Sequence, residues 1–351
     1  MIGEKEESLD KNFESLNKGE YKNFVIIALG WLGDTLLSDG LCKNIKRYNP
    51  DAKITFVPLK SFVDIPKLIP EVDEIIPFDK KGAHKGLLGY AKFSKHFKNK
   101  EIDVAIIVHP HERSVLCAKA MGAKTIVSLP LKGKFNPINF LINKKRKYVE
   151  DEIRNEYKNN YNANYLNTIG VDTEKYAPSF SIPESENIDI TRFDLPEKYI
   201  ALVPEGKDTL KHWDYENISA FIQNSKIPCV LTGTAKTQEL ADKLKLDGVD
   251  FVNLCGKTTI LELAKVIKES QVTVTVDTGS MHLAYGLGVQ TVCLLFVEKM
   301  IKEWLAKDLP NVHLLLGEKF RRGGEIVTQQ NIDYREVLDV VERVGVDYAQ
   351  V

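Results

Sequence analysis

The strongest constraint on the fold is a repeated pairing of short, wholly apolar runs with amphipathic segments of helical period. The first run is Phe24-Val25-Ile26-Ile27-Ala28-Leu29, closed by Gly30. A run that is apolar at every position reads as a strand buried on both faces, the mark of a parallel sheet. From Asp34 onward, apolar residues fall at Leu37, Leu41, Ile45 and Tyr48, the spacing of one helix face, until Pro50-Asp51 stops the helix. The pattern predicts further strands at 53–57, 74–78, 102–108 and 123–128, a short helix at 61–69 and a helix over 112–121. A second series opens at Tyr199-Ile200-Ala201-Leu202-Val203-Pro204, with strands expected at 229–232, 250–254, 272–276 and 291–296. Its helices fall near 214–224, 235–245, 258–269 and 279–287; Thr258 or Thr259 is placed to cap the third, with Glu262 in its first turn. Such alternation predicts an α/β protein of two doubly wound, mostly parallel sheets.

Residues 143–166 are polar and rich in Tyr and Asn, and 177–197 carry Pro178, Pro183 and Pro196 with little periodicity. The expected organisation is an N-terminal extension at 1–20, a first domain at 21–180, a linker at 181–197, a second domain at 198–330 and a C-terminal segment at 331–351. That segment holds a helix at about 332–345 with Tyr334, Val337, Leu338, Val341 and Val344 on one face. A chain of 351 residues accommodates two domains of ordinary size.

The longest apolar run, 102–108, is interrupted by Asp103 and falls far short of the ~18–20 residues of a membrane span. The net charge of −1 excludes a uniformly basic nucleic-acid binder. The balance is uneven, however: residues 79–147 carry sixteen Lys/Arg against four Asp/Glu, a net of +12, leaving −13 elsewhere. Lys80, Lys81, Lys85, Lys92, Lys95, Lys98 and Lys100 crowd one stretch, and Lys144, Lys145, Arg146 and Lys147 another. Such a segment is either a solvated face or a surface for an anionic glycolipid at a membrane. The five cysteines form no Cys-x-x-Cys pair and mostly sit among apolar residues, as buried small hydrophobes in a reducing compartment do. Residues 1–20 hold six acids and three lysines without an apolar core, unlike a signal peptide.

Ligands of doubly wound sheets sit beyond the carboxyl ends of strands, beside helix N-termini. Gly30-Trp31-Leu32-Gly33-Asp34 occupies such a place but lacks the third glycine of a dinucleotide fingerprint. Gly30 and Gly33 permit close approach to the backbone. Asp34 reads as a helix N-cap, as a general base, or as both. Val276-Asp277-Thr278-Gly279-Ser280-Met281-His282 also follows an apolar strand; it is either an ordinary capped turn or an anion site with free N–H groups, Asp277 orienting its neighbours and His282 one turn in. In the loop 205–213, Lys207 and Lys211 offer compact cations for a phosphate, or are plain solvated lysines. Gly233-Thr234 repeats the strand-end glycine theme, and Glu239 beyond it either meets a ribose or stands exposed on a helix. His109-Pro110-His111-Glu112-Arg113 ends another strand; two histidines split by a proline are too few for a metal site, and lining of the ligand-facing edge is the other reading. The chain has no Asp-x-Asp string to hold a divalent ion on a nucleotide diphosphate, so no metal is expected.

In this order and spacing the motifs resemble glycosyltransferase family 9, the ADP-heptose:lipopolysaccharide heptosyltransferases. The resemblance runs from about Phe24 to Phe296, through Leu32-Gly33-Asp34, Asn49-Pro50-Asp51-Ala52-Lys53-Ile54, Pro70-Glu71-Val72-Asp73-Glu74-Ile75-Ile76, Lys211-His212-Trp213 and Asp277-Thr278-Gly279-Ser280-Met281-His282-Leu283-Ala284. It implies a GT-B fold: two Rossmann-like domains facing a central cleft, the first binding the acceptor and the second the nucleotide sugar, with the final helix packing back on the first. It implies inverting, metal-independent and cofactor-free transfer of a sugar, heptose from ADP-heptose, to a lipopolysaccharide or lipooligosaccharide core acceptor. The setting it implies is cytoplasmic, at the inner face of the inner membrane. By motif match Asp34 falls on the catalytic base, Lys211 on a diphosphate contact, and Asp277, Thr278, Gly279, Ser280 and His282 on the donor site. Gly233, Thr234 and Glu239 are assigned to the donor with them, and Gly33, His109, His111 and Arg113 to the acceptor. The chain departs from the family in having Val297-Glu298-Lys299 where Gly-Pro-Thr is common. A nucleotide-sugar epimerase of GT-B fold and a non-catalytic nucleotide-sugar-binding protein fit the same scaffold.

Overall fold

The computed structural model describes residues 20–131, 136–146, 156–298 and 301–347. Apart from Glu20, the expected N-terminal extension lies outside these residues, as do Lys132, Lys134, Lys147 and Lys299. The chain divides into two units, residues 1–153 with 158–176, and residues 154–157 with 177–351.

In the first unit six parallel strands, β1 (Asn23–Ala28), β2 (Lys53–Pro58), β3 (Glu74–Ile75), β4 (Val104–Ile107), β5 (Thr125–Ser128) and β6 (Lys144–Lys145), lie in the order β3-β2-β1-β4-β5-β6. Central β1 pairs with β2 and β4 at once, Phe24 standing beside Ile54 and Val104. Both faces of β1 are covered, so Phe24 to Ala28 are buried without alternation. The helices are α1 (Leu32–Leu36), α2 (Asp39–Tyr48), α3 (Gly86–Ser94), α4 (Glu112–Ala120) and α5 (Lys158–Ala163).

The second unit repeats the plan with β7 (Ile200–Val203), β8 (Cys229–Leu231), β9 (Val252–Asn253), β10 (Val272–Val276), β11 (Gln290–Leu295) and β12 (Val312–Leu316) in the order β12-β11-β10-β7-β8-β9, again parallel. Its helices are α6 (Tyr215–Asn224), α7 (Gln238–Leu246), α8 (Ile260–Glu269), α9 (Gly279–Gly286), α10 (Ile301–Trp304) and α11 (Tyr334–Asp347), and a hairpin of β13 (Glu318–Arg322) and β14 (Glu325–Gln330) precedes α11. Thr259 and Glu262 close the expected capping box on α8: the Glu262 N–H donates to Thr259 Oγ1 at 3.2 Å and the Thr259 N–H to Glu262 Oε2 at 2.7 Å.

Three sequence expectations change. The helix read continuously from Asp34 to Tyr48 is broken between α1 and α2. The break leaves the Leu37 carbonyl and the Gly40 N–H facing the polar segment 143–166, and α5 answers both: Asn162 Nδ2 donates to Leu37 O at 2.7 Å and Asn159 Oδ1 accepts from Gly40 N at 2.8 Å. Buried backbone groups need such partners, so Asn159 and Asn162 are buried although polar. Second, the C-terminal helix expected to pack back on the first domain lays Val337, Val340, Val341 and Val344 in the core of its own unit, with Trp213 and Phe221. Third, Arg146, counted among exposed basic residues, is buried; its guanidinium lies 3.8 Å from the Tyr161 ring centroid and donates to the Tyr161 carbonyl.

All five cysteines are buried, and burial pushes the thiols of Cys117, Cys229 and Cys255 up to about 12, far from nucleophilic thiolates. No helix among the described residues is long and apolar enough to cross a membrane.

Candidate active site

Each sheet has a topological switch point, where the chain leaves the central strand in opposite directions, and ligands of open α/β sheets bind outside the carboxyl ends of the strands there. In the first unit that point lies between β1 and β4, and in the second between β10 and β7. Each holds a pair of titratable side chains, Asp34 with His109 in the first and Lys211 with Asp277 in the second.

At the end of β1, Trp31 is the N-cap of α1 and Asp34 the third helical residue. Asp34 is therefore not itself the N-cap. Its Oδ2 accepts from the Trp31 N–H at 3.3 Å, while Oδ1 lies 3.4 Å from Nε2 of His109 at the end of β4. The capping and ligand-facing readings of Asp34 are served by different oxygens. Burial holds His109 below the usual imidazole range despite the nearby carboxylate, which works the other way, and Lys158 adds to the lowering. His109 Nδ1 is buried with no hydrogen-bond partner among the described residues. The ring packs so closely on Gly30 that a Cβ there would lie 2.8 Å from its Cε1, so only glycine fits beneath it. Gly33 lies in the first turn of α1.

The other two acceptor candidates serve α4. His111 is its N-cap, Nδ1 accepting from the Arg113 N–H at 3.1 Å, and Arg113 lies in the first turn. The two histidines of His109-Pro110-His111 thus diverge, one toward Asp34 and one into a cap. Among the described residues no group of three or more His, Cys, Asp or Glu side chains is placed to hold a metal ion.

In the second unit, Lys211 Nζ meets Asp277 Oδ2 at 2.6 Å, with the lysine partly exposed and the carboxylate nearly buried. Lys211 ends a turn of 3₁₀ helix, Thr209–Lys211, capped by Asp208. Gly206 brings this loop against the turn after β10; a Cβ there would lie 2.9 Å from Thr278 Cγ2. Thr278 is the N-cap of α9 yet makes no side-chain cap, and its Oγ1 is buried with no hydrogen-bond partner among the described residues. The N–H groups of Gly279 and Ser280 open α9, where the helix dipole favours an anion.

His282 is buried, its Nδ1 bonded to the Tyr285 hydroxyl one turn on; that hydroxyl also meets Tyr157 Oη at 3.0 Å and Trp304 O at 3.4 Å. Burial pushes the Tyr285 phenol well up, so it stays protonated. Gly233 and Thr234 belong to the turn after β8, where Thr234 accepts from the Lys236 N–H at 3.3 Å. Glu239 stands exposed in the first turn of α7, without a hydrogen bond or ion pair among the described residues, the plainer of its two readings.

The sequence reading missed what braces the Lys211 loop. Lys319 of β13 is buried over the Phe296 ring (4.3 Å to its centroid), donates to His212 O at 2.9 Å and pairs with Asp214; Arg321 donates to Thr209 Oγ1 at 2.9 Å. It also missed Tyr285, which the i,i+3 spacing from His282 would have placed on the same helix side.

The sequence model of glycosyltransferase family 9 (heptosyltransferase) matches residues 90–302. The lipopolysaccharide core heptosyltransferase OpsX of Haemophilus influenzae is 22% identical over 305 residues, covering 83% of this chain and 84% of its own. Lipooligosaccharide heptosyltransferase 2 of Campylobacter jejuni is 25% identical over 303 residues, covering 81% of this chain and 84% of its own. Among solved structures, E. coli ADP-heptose lipopolysaccharide heptosyltransferase II superposes with a TM-score of 0.76 at 18% identity, over 93% of this chain and 99% of that one. The two parallel six-stranded sheets are those of GT-B heptosyltransferases. The family match spans more than half of the sequence, and the chain belongs to glycosyltransferase family 9. It is a glycosyltransferase.

Proposed function

We propose that this enzyme transfers heptose from ADP-heptose to a lipopolysaccharide or lipooligosaccharide core acceptor, with inversion and without a metal ion. The observation that carries the reading is the pairing of titratable side chains at the two switch points, the Asp34 carboxylate with the His109 imidazole and the Lys211 ammonium with the Asp277 carboxylate. The names of the relatives support the substrate class.

In this reading an acceptor hydroxyl attacks the anomeric carbon from the side opposite the leaving ADP. Asp34 takes the hydroxyl proton as general base, and His109, neutral at pH 7 because its burial opposes protonation, orients the carboxylate without neutralising it. As the bond from the anomeric carbon to the β-phosphate oxygen breaks, negative charge grows on the diphosphate. Lys211 and the N–H groups of Gly279 and Ser280 receive it. A lysine there supplies the positive charge that enzymes with carboxylate pairs take from a divalent ion. Asp277 holds the ammonium in position before the donor arrives.

The basic segment suits an anionic acceptor surface in a cytoplasmic enzyme at the inner face of the inner membrane. Lys80, Lys81, Lys85, Lys92, Lys95 and Lys98 are exposed without ion pairs among the described residues, whereas Lys100 pairs with Glu74 and Lys124 with Glu101 and Asp103. Co-sedimentation with anionic vesicles should occur at low salt and vanish at high salt; salt-insensitive or absent binding removes the membrane part of the reading.

The test is turnover of ADP-heptose with deacylated core oligosaccharide, followed by NMR of the new anomeric centre, with and without EDTA. Inverted product and EDTA-insensitive rates are expected. Asp34→Asn should turn over roughly 10²–10⁴-fold more slowly with ADP affinity unchanged. Free sugar or an epimer formed without acceptor would indicate the epimerase reading, and binding without turnover the non-catalytic one. Near-normal turnover by Asp34→Asn would remove the base assignment.

A further inference from the structure

We infer that Trp31 is a specificity-determining residue on the acceptor side, its indole forming with Phe62 an aromatic platform for a pyranose ring of the acceptor; the inference rests on the acceptor reading of the Asp34 edge. Trp31 is the N-cap of α1, a position that favours small polar residues able to accept from the first-turn N–H groups, and an indole, which only donates, is not one of these. It is 59% exposed, the one tryptophan among the large exposed apolar residues, whereas Trp213 is 2% exposed. A large aromatic side chain left in water at a ligand-facing edge is an informative exposure.

Its position is the productive one. The Trp31 N–H is held by Asp34 Oδ2 at 3.3 Å, so the residue carrying the indole is tied to the proposed base. Its ring meets Phe62 edge-on, with centroids 6.3 Å apart and planes at 61°. Phe62 comes from the turn Lys60–Phe62, just after neighbouring strand β2. The carboxyl ends of β2, β1 and β4 therefore present Phe62, then Trp31 with Asp34, then His109, in sheet order. A pyranose has one face of C–H bonds and a rim of hydroxyls. An aromatic face satisfies the first and a carboxylate the second, so a sugar stacked on the platform would direct a hydroxyl toward Asp34.

The experiment compares wild type with Trp31→Ala, Trp31→Phe and Trp31→Leu, using ADP-heptose and deacylated or intact core lipopolysaccharide. Trp31→Ala should raise the acceptor KM by roughly three- to tenfold and leave the donor KM and Tm unchanged. Trp31→Phe should restore most of the loss, and Trp31→Leu, which has bulk but no π face, should not. Rescue by Leu as good as by Phe, an unchanged acceptor KM in Trp31→Ala, or a defect confined to the lipid-bearing acceptor would each overturn the platform, the last in favour of a lipid contact. Fluorescence of the same proteins, titrated with the deacylated oligosaccharide, should show a quench that Trp31→Phe abolishes. This readout separates the two claims: wild type with no turnover removes the proposed function, while absence of a Trp31-dependent quench removes the platform, whether or not sugar is transferred.

Discussion

Replacing Gly30 by alanine asks whether the His109 imidazole stands where Asp34 needs it. A Cβ at residue 30 would lie 2.8 Å from His109 Cε1 and 2.9 Å from Nδ1, against about 3.5–4.0 Å for a relaxed contact. The ring must then withdraw by roughly 0.6–1 Å, disturbing a His109–Asp34 separation that is now 3.4 Å. Overpacking of this kind costs about 1–3 kcal/mol. At about 2–4 °C per kcal/mol for a unit of this size, the first unit's melting transition should fall by about 2–12 °C. A displacement near 1 Å at a reacting group can lower turnover by up to about 10²-fold. The decisive comparison is the cycle of wild type, Gly30→Ala, His109→Ala and the double variant, followed by thermal melts and by turnover. Gly30 is outside the left-handed region of backbone space, and removing the imidazole removes the three atoms nearest to the added methyl, which then restricts the unfolded chain, a gain of about 0.4–1 kcal/mol. Gly30→Ala should therefore destabilise the wild type and be neutral or stabilising beside His109→Ala. Equal losses in both backgrounds would refute the steric argument.

Three further outcomes follow from the same geometry. Lys211→Ala should weaken ADP binding by roughly 10- to 100-fold, the worth of a charged hydrogen bond, and calorimetry showing unchanged affinity would count against its diphosphate role. Because burial depresses His109, the unfolded chain takes up this proton first as pH falls, so the contribution to stability declines on acidification from about 6.5 downward. Urea midpoints at pH 7.5 and 5.5 should then differ less in His109→Gln than in wild type, and parallel shifts would contradict the assignment. Arg146→Met should lose about 1–3 kcal/mol of stability in urea melts, having left the Tyr161 carbonyl without its donor, yet leave vesicle binding untouched, whereas charge reversal at Lys80, Lys81 and Lys85 should do the opposite.

The strands were legible because burial on both faces leaves no polar position to confuse the pattern: Val272–Val276 is a strand at the residues expected. What escaped was structure held by polar side chains. Asn159 and Asn162 look like loop residues, and only the break between α1 and α2 reveals the backbone groups they serve. The hairpin of β13 and β14 is largely exposed and shows no apolar alternation, so its support of the Lys211 loop had no local signal. At the site, Asp34 and Lys211 were readable from strand-end motifs, but their partners come from strands and turns distant in sequence. Nothing local joins His109 to Asp34, or Asp277 to Lys211. His282 stood out in its motif, but the Tyr285 hydroxyl that meets its Nδ1 did not.

The two asparagines also bear on the order in which the first unit can be completed during synthesis. By residue 146 the ribosome has delivered all six of its strands, yet the break beside Asp34 still lacks both partners, which arrive with Lys158–Ala163. At 5–20 residues per second this interval is about one to three seconds. During it the sheet can form while the loop that carries the proposed base remains unbraced. A nascent chain stalled before residue 158 should thus protect β1 and β4 from hydrogen exchange while leaving the Gly40 amide open, and a chain extended past residue 176 should close it.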